Sequence, residues 1–151
     1  MQHFVRTFLT ITGASLLVAA GVQSVPDVVE VVLLSGPNAG TYRSTSSETV
    51  CMHAKQQKLT TVSWRDMAAR DPKKMSEAGI MVSNPDVAGP KRGDVHIAFG
   101  NPDKKPVEYS VTQEPVTMTI KGKGVEISFD GKTKEGIRLR VNARCAKLEN
   151  L

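Results

Sequence analysis

Gly136-Ile137-Arg138-Leu139-Arg140-Val141-Asn142-Ala143-Arg144-Cys145 alternates apolar and polar residues from Ile137 onward without a break. A period of two marks a β-strand with one face in the core and one in water, because successive strand side chains point to opposite sides. The odd positions Ile137, Leu139, Val141, Ala143 and Cys145 are thereby assigned to the core, and the even positions to the solvent face.

Four segments upstream repeat the pattern: Val95-His96-Ile97-Ala98-Phe99, Val107-Glu108-Tyr109-Ser110-Val111, Val116-Thr117-Met118-Thr119-Ile120 and Val125-Glu126-Ile127-Ser128-Phe129. Between them stand Asn101-Pro102-Asp103, Gln113-Glu114-Pro115, Lys121-Gly122-Lys123-Gly124 and Asp130-Gly131. These supply the fixed φ of proline or the positive φ of glycine that tight turns demand, so each reads as a hairpin connection. Further upstream, Val28 to Leu34 is apolar on both parities except at Glu30, as befits a strand covered on both faces. Leu59 to Trp64 and Gly40 to Arg43 read as two more strands. Helical periodicity is scarce. Ser46 to Gln57, capped by Ser46 or Ser47, has room for one or two turns and Trp64 to Ala78 for another, while Arg65 to Pro90 reads as an irregular segment with a long loop. About seven or eight short strands with no long crossover helix predict an all-β domain. Its expected form is an antiparallel β-sandwich or a partly open barrel, with one or two short helical turns.

The composition suits one such domain: 151 residues, 40% hydrophobic and 23% charged, with 12 glycines and 8 prolines, exclude collagen, a coiled coil and a multispanning membrane protein. The N-terminus is of another kind. Arg6 precedes an apolar run from Phe8 to Ala20, and Val22-Gln23-Ser24 ends in a small residue suited to a signal peptidase. A retained anchor needs about 20 apolar residues, whereas this run is shorter and interrupted by Thr10, Thr12, Gly13 and Ser15. Residues 1–24 are therefore expected to be a secretory signal peptide and residues 25–151 a single domain with no transmembrane segment after cleavage, secreted or periplasmic.

Cys51 and Cys145 are the only two cysteines. In an exported chain an even count favours a disulfide, the alternative being two separate buried thiols. Such a bridge closes a loop of about 95 residues, and the strand parity at Cys145 places it under the sheet.

Readable chemistry is thin. His53 lies two residues from Cys51 with Met52 between, a soft-metal combination that a disulfide at Cys51 would cancel. His96 falls on the outer parity of its strand beside Asp94. With Ser63 these form a triad only on paper, because no nucleophile-elbow glycine motif accompanies them. Gly36-Pro37-Asn38-Ala39-Gly40 lacks the lysine and helix of a phosphate cradle and reads as a turn. No cofactor, metal or catalysis is expected.

The remaining signal is basic, with 20 Lys and Arg against 15 Asp and Glu. Lys104 and Lys105 on one expected turn, with Lys121 and Lys123 on another, are expected to add into a positive rim able to hold an anion. Solubility and protection of strand edges are the plainer role of such lysines. Nucleic acid is excluded as a partner, since no aromatic residues interleave with the lysines. The expected function is that of an exported, non-catalytic binding or accessory module, a monomer or weak oligomer stapled by one disulfide. A protein, a glycan or an anionic envelope surface would be its partner. A small hydrolase or metal-binding protein using His53 or His96 is the competing expectation.

Overall fold

The computed structural model describes residues 26–44 and 48–151, and over these residues the protein is all-β. Residues 1–24 and the Ser46 or Ser47 cap lie outside the described residues. The strands are β1 (Val28–Leu33), β2 (Gly40–Arg43), β3 (Thr49–Ala54), β4 (Leu59–Arg65), β5 (Met75–Ser83), β6 (Lys91–Phe99), β7 (Val107–Lys121), β8 (Gly124–Lys132), β9 (Arg138–Cys145) and β10 (Glu149–Asn150). They form one sheet in the order β10-β3-β4-β5-β6-β7-β8-β9-β1-β2, mixed only because β10 runs parallel to β3. The sheet curls into a half-barrel, bringing β1 and β9 against β4 and β5 across the interior.

The bend is built into β7. Its first part, from Val107 to Val116, pairs with β6, and its last part, from Thr117 to Lys121, pairs with β8. Where the partners change, the register against β6 slips between Gly93 and Val95, and Gln113 takes a positive φ of 56°. A bulge of this kind bends a strand and increases its twist. Gln113-Glu114-Pro115 is therefore a bend inside one fifteen-residue strand and not a hairpin turn. Pro115 is tolerated there because β8 pairs with the strand only from Thr117 onward, which leaves one side of the strand at Pro115 without a ladder.

Ten strands stand where seven or eight were expected, and the differences have physical causes. β3 occupies the segment expected to be helical, since the β-branched Thr49 and Val50 and the pairing of Cys51 with Val62 extend the ladder of β4 backwards. β5 occupies much of the expected loop. Ala78, Ile80 and Val82 alternate inward from it, a pattern diluted in the sequence by the weak strand formers Glu77 and Gly79. No helix forms between Trp64 and Ala78. Asp130-Gly131 is not a turn either: Gly131 lies in β8 opposite Leu139, and the reversal comes at Thr133 to Gly136. Phe129 explains that glycine, since a Cβ at residue 131 would sit 2.5 Å from its ring.

The parity reading holds in β9, whose inward residues Leu139, Val141, Ala143 and Cys145 are buried while Arg138, Arg140 and Asn142 are exposed. They meet Val29, Val31 and Leu33 of β1 and, across the half-barrel, Val62, Ile80, Val82, Val95 and Ile97. Phe99 closes one end of this core, with the rings of Tyr42 and Tyr109 edge-on to it at 4.7 and 5.9 Å.

Lys58 closes the β3–β4 turn, donating its N–H to the Lys55 carbonyl, in the left-handed region at φ 53°. Because the residue is exposed and that conformation strains a side chain, Lys58→Gly should stabilise the protein by about 0.5 to 1 kcal/mol. A lower unfolding midpoint in urea would contradict this.

Candidate functional site

Cys51 of β3 and Cys145 at the end of β9 are joined by a disulfide. In the order of the sheet five strands separate them, so the bond, together with the short β10–β3 pairing beside it, clasps two distant parts of the curl. Asp27 lies beside it, its oxygen within 4.8 Å of both sulfurs, and accepts the Ala146 N–H at 2.6 Å. With the sulfurs bonded to each other, this cluster offers no thiolate to a metal.

Among the described residues both histidines, His53 and His96, lie within reach of a hydroxyl. His53 Nδ1 lies 3.0 Å from Thr60 Oγ1, and its Nε2 lies 3.7 Å from Asp86. The order of hydroxyl, imidazole and carboxylate resembles a nucleophile chain, but Thr60 is fully buried and no substrate atom can reach it. Leu151 donates its N–H to the His53 carbonyl, so this cluster also holds the C-terminus in place. His96 Nδ1 stands 3.3 Å from Ser110 Oγ on the outer face. Ser63 is two strands away from His96, with Gly79 between them, and Asp94 accepts the N–H of Gln113 at 2.7 Å. The structure does not bring Ser63, His96 and Asp94 together as a triad.

Nor does it bring the four lysines together. Lys104 and Lys105 lie on the connection before β7, and Lys121 and Lys123 lie at and beyond its other end. A strand of fifteen residues rising about 3.3 Å each holds the two pairs, even across its bend, well beyond a Debye length of about 8 to 10 Å. Lys121 is further engaged by Glu126 at 2.7 Å.

The glycine-bearing loop before β2 has a structural role that its sequence did not announce. Asn38 is buried, accepts the Tyr109 hydroxyl on its side chain at 2.9 Å and accepts the Tyr42 hydroxyl on its carbonyl at 2.8 Å. Burial pushes the Tyr109 phenol above its ordinary pKa, against the opposing effect of the Asn38 hydrogen bond, so the donor stays protonated at neutral pH. Only distance in space joins Asn38 to Tyr109; no local pattern could have revealed the pair.

The outer face of β7, β8, β9, β1 and β2 carries a different kind of feature. Cross-strand pairing sets Thr117 beside Ser128, Ser128 beside Asn142, Asn142 beside Glu30 and Glu30 beside Arg43. A second row runs from Thr119 to Glu126, Arg144 and Val28. The two rows line an open groove of ≈ 490 Å³, within the range of about 300 to 1,000 Å³ usual for small-ligand sites. Adjoining hollows continue it past Asp130 and Arg140, which pair at 2.7 Å, toward Lys132 and Lys134.

Arg144 is the unusual member of the groove. Register places it directly opposite Glu126, yet that carboxylate is taken by Lys121. The Nε of Arg144 is buried with no hydrogen-bond partner. Strand parity put Arg144 on the outer face in the sequence, but whether its cross-strand carboxylate would be free or taken depended on the β7–β8 turn geometry. Among the described residues no helix is long and apolar enough to cross a membrane. No family model, curated protein or solved structure matches the chain.

Proposed function

We propose that the chain is an exported, non-catalytic binding module, secreted or periplasmic, whose disulfide-clasped half-barrel offers the outer groove of β7, β8 and β9 to a ligand. The observation that carries this reading is the groove itself, lined by hydroxyl, amide and charged side chains on a sheet face whose central strands β8, β9 and β1 are paired on both sides. Such a face is rigid, so little ordering entropy opposes binding. The disulfide supports export, because oxidising compartments form and preserve such bonds. A binding role is favoured over a hydrolytic one because the hydroxyl nearest His53 is sealed in the core.

Two measurements test the reading. A chain secreted with its own leader should lose Met1 to Ser24 and weigh two hydrogens less than its reduced form. An intact N-terminus, or two thiols that alkylate without reduction, would overturn export. The processed protein, probed on an array of neutral and acidic oligosaccharides and peptides, should be retained. Asn142→Tyr, which fills the groove, should abolish retention at an unchanged unfolding midpoint. Absent retention, or retention indifferent to Asn142→Tyr, would remove the groove as the binding surface.

A further inference from the structure

We infer that Arg144 anchors a carboxylate in this groove and that the ligand is an acidic oligosaccharide, a sugar chain bearing uronate-type carboxylates. The inference rests on the groove being the binding surface and adds the chemical class of what it holds. A half-buried guanidinium is costly to leave without an acceptor, and among the described residues no carboxylate forms an ion pair with it. Glu126 is bound by Lys121 at 2.7 Å, and Glu30 stands directly across the ladder from Arg43. Arg144, like Arg43, makes no ion pair among the described residues, and because its Nε is buried without an acceptor the Nη groups are what a ligand would meet. Its planar fork suits a carboxylate or a phosphate.

Charge decides between those two anions. Arg43, Arg144 and Lys121 stand against Glu30 and Glu126, an excess of a single positive charge, which suits singly charged carboxylates spaced one per sugar along a chain better than a doubly charged group at one point. A dianionic phosphate would be repelled by the two carboxylates at short range.

The rest of the ligand is read from what flanks Arg144. Thr117, Thr119, Ser128 and Asn142 offer hydroxyl and amide groups that both donate and accept, the complement of sugar hydroxyls. An acidic peptide would bind best where backbone groups are free to pair with it, as at a sheet edge. Here β8, β9 and β1 are paired on both sides at the groove, so their backbone groups are consumed by the ladder. On the floor of the groove side chains alone remain, and free backbone is left only at its rims on β2 and the last part of β7; this favours a polyhydroxylated chain over a polypeptide.

Calorimetric titration of the processed, oxidised protein with a tetramer of galacturonate tests this. The tetramer should bind, its methyl ester should bind about tenfold more weakly or worse, and a glutamate tetrapeptide should not compete. Arg144→Gln should weaken the acid form about tenfold or more without lowering the unfolding midpoint, and Arg144→Lys should recover part of the loss. Glu30→Gln should tighten binding, whereas Lys104→Gln with Lys105→Gln should leave it unchanged. Equal binding of acid and ester, or indifference to Arg144→Gln, would overturn the anchor while the groove reading stands. Binding of the peptide in place of the sugar, or no binding of the tetramer by a protein that the array retains, would overturn the sugar assignment. Retention of nothing on the array would instead defeat the groove reading.

Discussion

Replacing both cysteines, Cys51→Ala with Cys145→Ala, is expected to destabilise the protein by about 4 to 5 kcal/mol, the largest loss available from any single structural feature. The bond spans a sequence separation of 94, and chain-entropy accounting assigns long loops the greatest denatured-state constraint. The architecture sharpens the expectation. Five strands lie between β3 and β9 in the sheet order, so without the bond only side-chain packing and the short β10–β3 pairing would hold the curl shut at that point. Both cysteines are buried, and alanine there also leaves small voids. Since the net stability of a domain is only about 5 to 15 kcal/mol, the variant should unfold well below the parent in urea, and reduction of the parent should reproduce most of the shift. A loss under about 1 kcal/mol would mean that packing and the β10–β3 pairing suffice to hold the two halves.

Leu139→Ala should cost about 2 to 5 kcal/mol, whereas Arg140→Ala, one residue along, should cost under about 1. Leu139 is fully buried and lies between Leu33 of β1 and Gly131 of β8 in the ladder, where the absence of a side chain at Gly131 limits how far neighbours can collapse into a void. Arg140 faces water. Its 2.7 Å pair with Asp130 joins two side chains more than half exposed, and such pairs contribute little after solvent screening. Urea unfolding of the two variants against the parent measures the contrast; equal losses would contradict the facing of β9.

Several features followed from the sequence alone because they depend on chemistry that is local or unique. The alternation from Ile137 to Cys145 set both the type and the facing of β9, since a strand's side-chain period admits only two facings and one of them would bury arginines. The disulfide was legible because two cysteines allow one pairing. Lys121-Gly122-Lys123-Gly124 was legible as a hairpin because Gly122 must take the positive φ that it does take, 60°.

What escaped the sequence depends on partners distant along the chain. Pro115 signals a turn locally, but with β6 on one side of β7 and β8 on the other, a bulge at Gln113 lets the strand continue and the whole sheet curl. The weak strand formers of β5 become a strand because β4 and β6 supply its hydrogen bonds from both sides. Four lysines with similar turn chemistry fall at opposite ends of one long strand, so that proximity, and with it any summed potential, was decided by tertiary structure. Arg144 was assigned to the outer face by its parity, yet only the folded sheet gives Glu126 to Lys121 and leaves a buried guanidinium nitrogen without an acceptor, because a hydrogen bond is allotted by distance in space and not by position in the chain.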